Sequence, residues 1–154
     1  MLPKSQYMTV NARFESVGEK PAYKGAWAKG QFCLVPMKDF FEPCYETGKA
    51  VRCRIGMADK SEFAVAGLWG AKKCEGGTLL HSFTQITINA NEHPFMKRFH
   101  KPDDEKRSLV IVPSSEYDAF LACRNPEEVR SFMRDFPAEL MAGEPAERQY
   151  SRKT

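Results

Sequence analysis

Phe63-Ala64-Val65-Ala66-Gly67-Leu68, the turn-forming Cys74-Glu75-Gly76-Gly77, and Ser82-Phe83-Thr84-Gln85-Ile86-Thr87-Ile88 decide the fold class. The two outer pieces have strand length and strand residues, and the glycines between them punctuate the run. Gln31 to Val35, Val51 to Met57 and Leu109 to Val112 read the same way, with Glu46-Thr47-Gly48-Lys49 as a further turn. Helical signals are shorter. Lys20 to Lys29 carries Tyr23, Ala26 and Trp27 at helical spacing, and Ser114 to Ala122 has Ser115 as a candidate N-cap with Asp118 three residues on. Pro126 to Asp135 has Asn125 as N-cap, Pro126 at the first helical position, and Glu127 and Glu128 near the positive end of the helix dipole. The expectation is an α+β domain with a mainly antiparallel sheet.

A chain of 154 residues reads as one domain. We expect that domain to span residues 1–142, followed by a polar tail over 143–154. The net charge of +3 balances 23 basic against 20 acidic side chains, which describes a mixed solvated surface and by itself implies no nucleic-acid partner. Five cysteines, odd in number and without C-x-x-C spacing, read as reduced thiols of a cytoplasmic protein. Cys44 and Cys53 lack partner histidines for a zinc site, so neither a metal nor another cofactor is expected. No stretch approaches the roughly 20 apolar residues of a spanning helix, and no membrane partner is expected.

Three places carry candidate chemistry. Glu42 follows Phe40 and Phe41, and desolvation there would raise its pKa into the range useful for proton transfer; a solvated strand-end glutamate is the plainer reading. His100 precedes a charged loop and is either a proton carrier or an ordinary surface or core histidine. In Asn11-Ala12-Arg13 an amide can hold a sugar or aldehyde oxygen and a guanidinium can grip a phosphate, although the tripeptide alone is too common to mean anything. His81 and His93 fit no motif. Trp27 and Trp69 could stack on bases, but both read as core, and Cys33 reads as buried in a strand.

Together these segments resemble a known family. Asn11-Ala12-Arg13-Phe14-Glu15-Ser16, Glu19-Lys20-Pro21, Cys33-Leu34-Val35-Pro36 with Phe40-Phe41-Glu42, Ala66-Gly67-Leu68-Trp69, Thr87-Ile88-Asn89-Ala90-Asn91, and His100 ahead of Arg107 and Leu109-Val110-Ile111-Val112-Pro113 are similar to the SOS response-associated peptidase (SRAP) family, the abasic site processing proteins. The resemblance runs from Val10 to Met141. It implies an SRAP-like fold, with a barrel-like core and a few peripheral helices. It also implies a catalytic acid/base at Glu42, a second proton carrier at His100, an active-site amide at Asn11, DNA-phosphate ligands at Arg13 and Arg107, and Thr87 lining the same pocket. The implied partner is single-stranded DNA containing abasic sites, bound by a protein that is cytoplasmic and joins the nucleoid when on DNA.

In that family a cysteine directly after the initiator methionine is the nucleophile. Its amine and thiol close a thiazolidine on the ring-opened aldehyde, giving a DNA–protein crosslink; an associated autopeptidase activity exposes the cysteine. Here Leu2 holds that place, Asp39 stands for the usual glycine and Pro43 for the usual tryptophan. The expectation is a relative truncated at its front, or one whose Met1 is internal to a longer frame. Such a chain would be impaired in crosslinking, and monomeric when its front is present. Whether it acts as a hydrolase or lyase stays open, beside two other readings: a non-catalytic single-strand binding module, or an inactive phage-derived fragment.

Overall fold

Residues 11–147 are described in this computed structural model. Their elements in chain order are β1 (Asn11–Arg13), α1 (Lys24–Ala28), β2 (Phe32–Met37), β3 (Asp39–Cys44), β4 (Val51–Met57), β5 (Phe63–Lys73), β6 (Leu79–Asn89), β7 (Arg107–Leu109), β8 (Ile111–Val112), α2 (Tyr117–Leu121), α3 (Pro126–Val129) and β9 (Met141–Pro145). One sheet runs β1-β6-β5-β2, with β7 on β6 and β8 on β5; the other runs β3-β4-β9. All pairings with a defined register are antiparallel except β1 on β6, so the α+β, mainly antiparallel reading holds. No barrel closes among the described residues: the strands form two open sheets.

The single domain expected from length divides into two compact units, each gathered from three separated stretches. The first contains Ala64–Ile88, Leu109–Phe136 and the residues up to Pro36; the second contains Met37–Phe63, Asn89–Ser108 and the residues from Pro137. Pairing between strands distant in sequence draws the chain back and forth between them.

In the first unit, alternation along the strands sends Ala12, Ala66, Leu68, Ile86, Ile88 and Val110 to one buried face. Trp27, Phe32, Phe120 and Val129 complete that core, and its rings meet edge to face or tilted, Phe14 on Trp27 at 6.0 Å and Trp27 on Phe32 at 5.6 Å. The second unit buries Cys44, Cys53, Ile55, Met96, Phe99 and Met141.

Local signals fared unevenly. Asn125 caps α3 as read, its Oδ1 accepting the Glu128 N–H at 3.1 Å with Pro126 in the first turn. Ser115 does not cap: it lies inside a 3-10 turn, Ser114–Glu116, and α2 starts after it without a side-chain cap. All three helices are shorter than their periodicity, and 3-10 turns precede α2 and follow α3. Gly143 to Pro145, assigned by polarity to a tail, complete β9, where Gly143 sits opposite Ile55 and Pro145 opposite Cys53. Leu2 and the segment Arg148 to Thr154 lie outside the described residues. No helix among the described residues is long and apolar enough to cross a membrane.

Gly30, at the entry to β2, has φ of +67°, and a Cβ there would lie 2.1 Å from the Arg124 carbonyl oxygen. Gly48 has φ of +82° with open space around it. Left-handed backbone costs an L-residue about 1–2 kcal/mol, so Gly48→Ala should lose about that much. Gly30→Ala should lose clearly more, because the clash is with backbone. Urea midpoints of the two variants measure the difference; equal losses would contradict the packing around Gly30.

Candidate active site

Strand β3 presents Glu42 on the same side as Phe40 and Cys44, with Cys53 of β4 directly opposite. Phe41 points the other way and takes the Arg52 guanidinium over its ring at 3.6 Å. Glu42 Oε2 stands 3.5 Å from His100 Nδ1, both side chains being largely buried, at 24% and 23% exposure. Burial pushes the Glu42 carboxyl up from its ordinary value, and the facing His100 partly opposes that rise.

The histidine is held in an unusual backbone conformation. Its φ is +69°, in the left-handed region that few non-glycine residues enter. Its N–H donates to the Pro43 carbonyl at 2.7 Å, next to Glu42, and Phe99 bridges to Cys44. Its carbonyl accepts from Lys106 Nζ at 3.3 Å, and the same ammonium donates to the Lys101 carbonyl. These bonds hold the strained residue and fix the ring against the carboxylate.

The imidazole's second nitrogen, Nε2, lies 3.3 Å from the Arg107 carbonyl. A carbonyl can only accept, so the tautomer that satisfies this contact has its hydrogen on Nε2 and turns Nδ1 toward Glu42. A carboxyl and an imidazole nitrogen at this distance can pass a proton between them. That is the chemistry required of a shuttle.

Arg107 itself is mostly buried, at 15% exposure, and its guanidinium pairs with Glu105 at 3.0 Å. Glu105 also accepts from Asn89 Nδ2 at 2.8 Å. Asp39 pairs with Arg54 at 3.5 Å.

Asn11, Arg13 and Thr87 gather in the first unit. The parallel pairing of β1 on β6 puts Asn11 beside Gln85 and Arg13 beside Thr87, and the Phe14 N–H donates to the Thr87 carbonyl at 2.9 Å. Asn11 and Arg13 are exposed, with Arg13 Nε 3.9 Å from Glu15, whereas Thr87 is buried. Glu42, His100 and Arg107 belong to the second unit.

Other readings change. Trp27 is core, but Trp69 is 41% exposed, because β5 continues past the packed part of its sheet. Cys33 is half-buried, with its thiol pushed up to about 11 by burial. His93 is buried, its Nδ1 accepting the Phe95 and Met96 N–H groups. Sequence reasoning missed Lys106 and the Pro43 carbonyl; a lysine in a charged loop and a backbone oxygen leave no pattern to read.

Comparison with known proteins identifies the family and the fold. The pattern of the family described as SOS response associated peptidase (SRAP) matches residues 2–151. An abasic site processing protein of Bacillus subtilis, YoaM, is 29% identical over 141 residues, covering 90% of this chain and 59% of its own length. The chain thus spans about three fifths of the length of the curated relatives it matches. A crystal structure of a Bordetella bronchiseptica protein superposes with a TM-score of 0.86 at 33% identity, covering 93% of this chain and 67% of that one. A second, from Bacteroides thetaiotaomicron, shares the fold alone, with a TM-score of 0.73 at 24% identity over 89% of this chain and 58% of that one.

The pair's titration follows from its geometry. The folded protein keeps the Glu42 proton to higher pH than the unfolded chain. The stabilisation tied to that proton is present at low pH and lost as pH rises through the folded pKa. A carboxyl-carbon NMR titration should place Glu42 above the ordinary glutamate value of about 4.3. His100→Asn tolerates left-handed backbone and removes the opposing cation, so it should raise the midpoint further. A midpoint that falls in this variant would refute the pairing.

Proposed function

Because this chain belongs to the SRAP family, we propose that it processes abasic sites in single-stranded DNA, with Glu42 and His100 moving protons and Asn11, Arg13 and Thr87 receiving the lesion's sugar and phosphate. The observation that carries this is the Glu42–His100 pair, a partly buried carboxyl 3.5 Å from an imidazole nitrogen, in a chain whose relatives include an abasic site processing protein.

An opened abasic site offers an aldehyde. Attack by an α-amine, whose pKa near 8 leaves a useful fraction unprotonated, forms a carbinolamine. Its hydroxyl must gain a proton to leave as water, and addition of a thiol to the resulting iminium releases a proton in return. A group holding one mobile proton serves both steps, and the same pair supports reversal and release of the residue ahead of the nucleophile. The family's nucleophile is the cysteine after the initiator methionine. A polypeptide beginning Met1-Leu2 presents no thiol beside its amine, with or without methionine removal.

Arg13, 55% exposed, has Glu15 at 3.9 Å, and Arg107, 15% exposed, has Glu105 at 3.0 Å; each would reach a phosphate by exchanging its carboxylate partner for it.

The expressed 154-residue polypeptide should form no heat-stable adduct with abasic single-stranded DNA on a denaturing gel. Grafting a family-type front segment beginning Met-Cys ahead of Val10 should restore the adduct. In that chain Glu42→Gln should slow formation or reversal by about 10²–10⁴-fold while leaving DNA affinity close to the parent's. Unchanged rates in both Glu42→Gln and His100→Asn would remove the proton roles.

Binding gives an independent check. Affinity for single-stranded DNA should fall as salt rises, and Arg13→Ala should lower the log–log slope by about 0.7–1. Arg107→Ala should lower it less, since Glu105 already neutralises that charge. Salt-independent binding would argue against Arg13 as a phosphate ligand.

A further inference from the structure

The β6 residues that face away from the first unit's core form one row: Leu79, His81, Phe83, Gln85 and Thr87. Register extends that row sideways. Thr87 lies beside Arg13 and Gln85 beside Asn11 on β1, while Phe83 lies opposite Trp69, His81 opposite Ala71 and Leu79 opposite Lys73 on β5. The residues read as lesion contacts and the Trp69–Phe83 pair therefore share one face of one sheet. Four steps along β6 lead from Phe83 to Thr87, about 13 Å of strand.

That end of the face is open and aromatic. Trp69 is 41% exposed and Phe83 54% exposed, and together with Cys33 and Val35 of β2 they line a cleft of about 410 Å³ that no carboxylate lines. Gly67 keeps its floor low: a Cβ there would meet Cys33 Sγ and Val35 Cγ2 at 3.1 Å. Burial holds the Cys33 thiol protonated, so the floor is uncharged. Exposed Lys72 and Lys73 stand at the outer end of β5.

We propose that Trp69 and Phe83 are a stacking subsite for nucleobases flanking the lesion in single-stranded DNA, with His81 and Lys73 beside it on the backbone phosphate. Aromatic side chains opposite one another on adjacent strands give a flat surface matched to any base, and the flanking positive charge complements the strand. This rests on the reading of the protein as one that acts on single-stranded DNA. It extends the contact surface from Arg13 and Thr87 to the far end of β6.

The two tryptophans make the test direct. Trp27 is buried between Phe14 and Phe32, so quenching by acrylamide reports Trp69. Titration of the unmodified protein with an oligothymidylate at low salt should quench its fluorescence and shield Trp69 from acrylamide. Fluorescence anisotropy should show Phe83→Leu, which keeps apolar bulk and loses the ring, binding roughly 5- to 100-fold more weakly. Lys73→Gln should reduce the salt slope by about 0.7. A DNA complex that depends on Arg13 but leaves Trp69 as quenchable as before, or that Phe83→Leu forms at parent affinity, overturns the subsite and leaves the lesion reading standing. Absence of any DNA binding, with no adduct from the grafted chain, overturns both. Shielding of Trp69 that grows with protein concentration alone, with dimers in sedimentation, shows that the face takes a second copy and overturns the proposal.

Discussion

Two-residue alternation along β6 is the constraint on which the first unit depends. Thr84, Ile86 and Ile88 point into the core, and that choice forces Phe83, Gln85 and Thr87 to the opposite face. Because β1 and β5 are tied to β6 in fixed register, the same choice carries Arg13, Asn11 and Trp69 to that face too. A slip of one residue would bury Phe83 and expose Ile86, so burial of aliphatic side chains sets which polar and aromatic groups can meet a ligand.

The second unit solves a different problem. Two side chains 58 positions apart in sequence must be held at proton-sharing distance in a half-dry environment. A backbone hydrogen bond from His100 to the Pro43 carbonyl joins the loop to the strand that bears Glu42, and Lys106 secures the loop from the other side. Left-handed backbone at a histidine is unfavourable by itself. It persists because those bonds and the burial of Phe99 over-determine it, and it leaves the ring aimed at the carboxylate. Pro43 does not break the arrangement, because the bond uses its carbonyl, which proline retains.

Departures from an expected family pattern can thus be structurally quiet. Asp39 finds Arg54 and Pro43 keeps its acceptor, so both are absorbed.

The sequence by itself determined the strand content, the N-cap at Asn125, the family, and Glu42, His100, Asn11, Arg13, Thr87 and Arg107 as the residues to look for. Each rests on local information: strand residues in short apolar runs, a capping side chain three residues from its amide, ordered motifs. Tertiary structure alone decided that Glu42 is desolvated and faces Nδ1 rather than Nε2, and that Arg107 is already paired with Glu105. It also decided that Trp69 stays exposed and that Gly143 to Pro145 form a strand. Those outcomes depend on which distant segments pack together. Burial and ion pairing are properties of neighbours in space, and the strand order that supplies those neighbours is fixed by global packing rather than by any window of sequence.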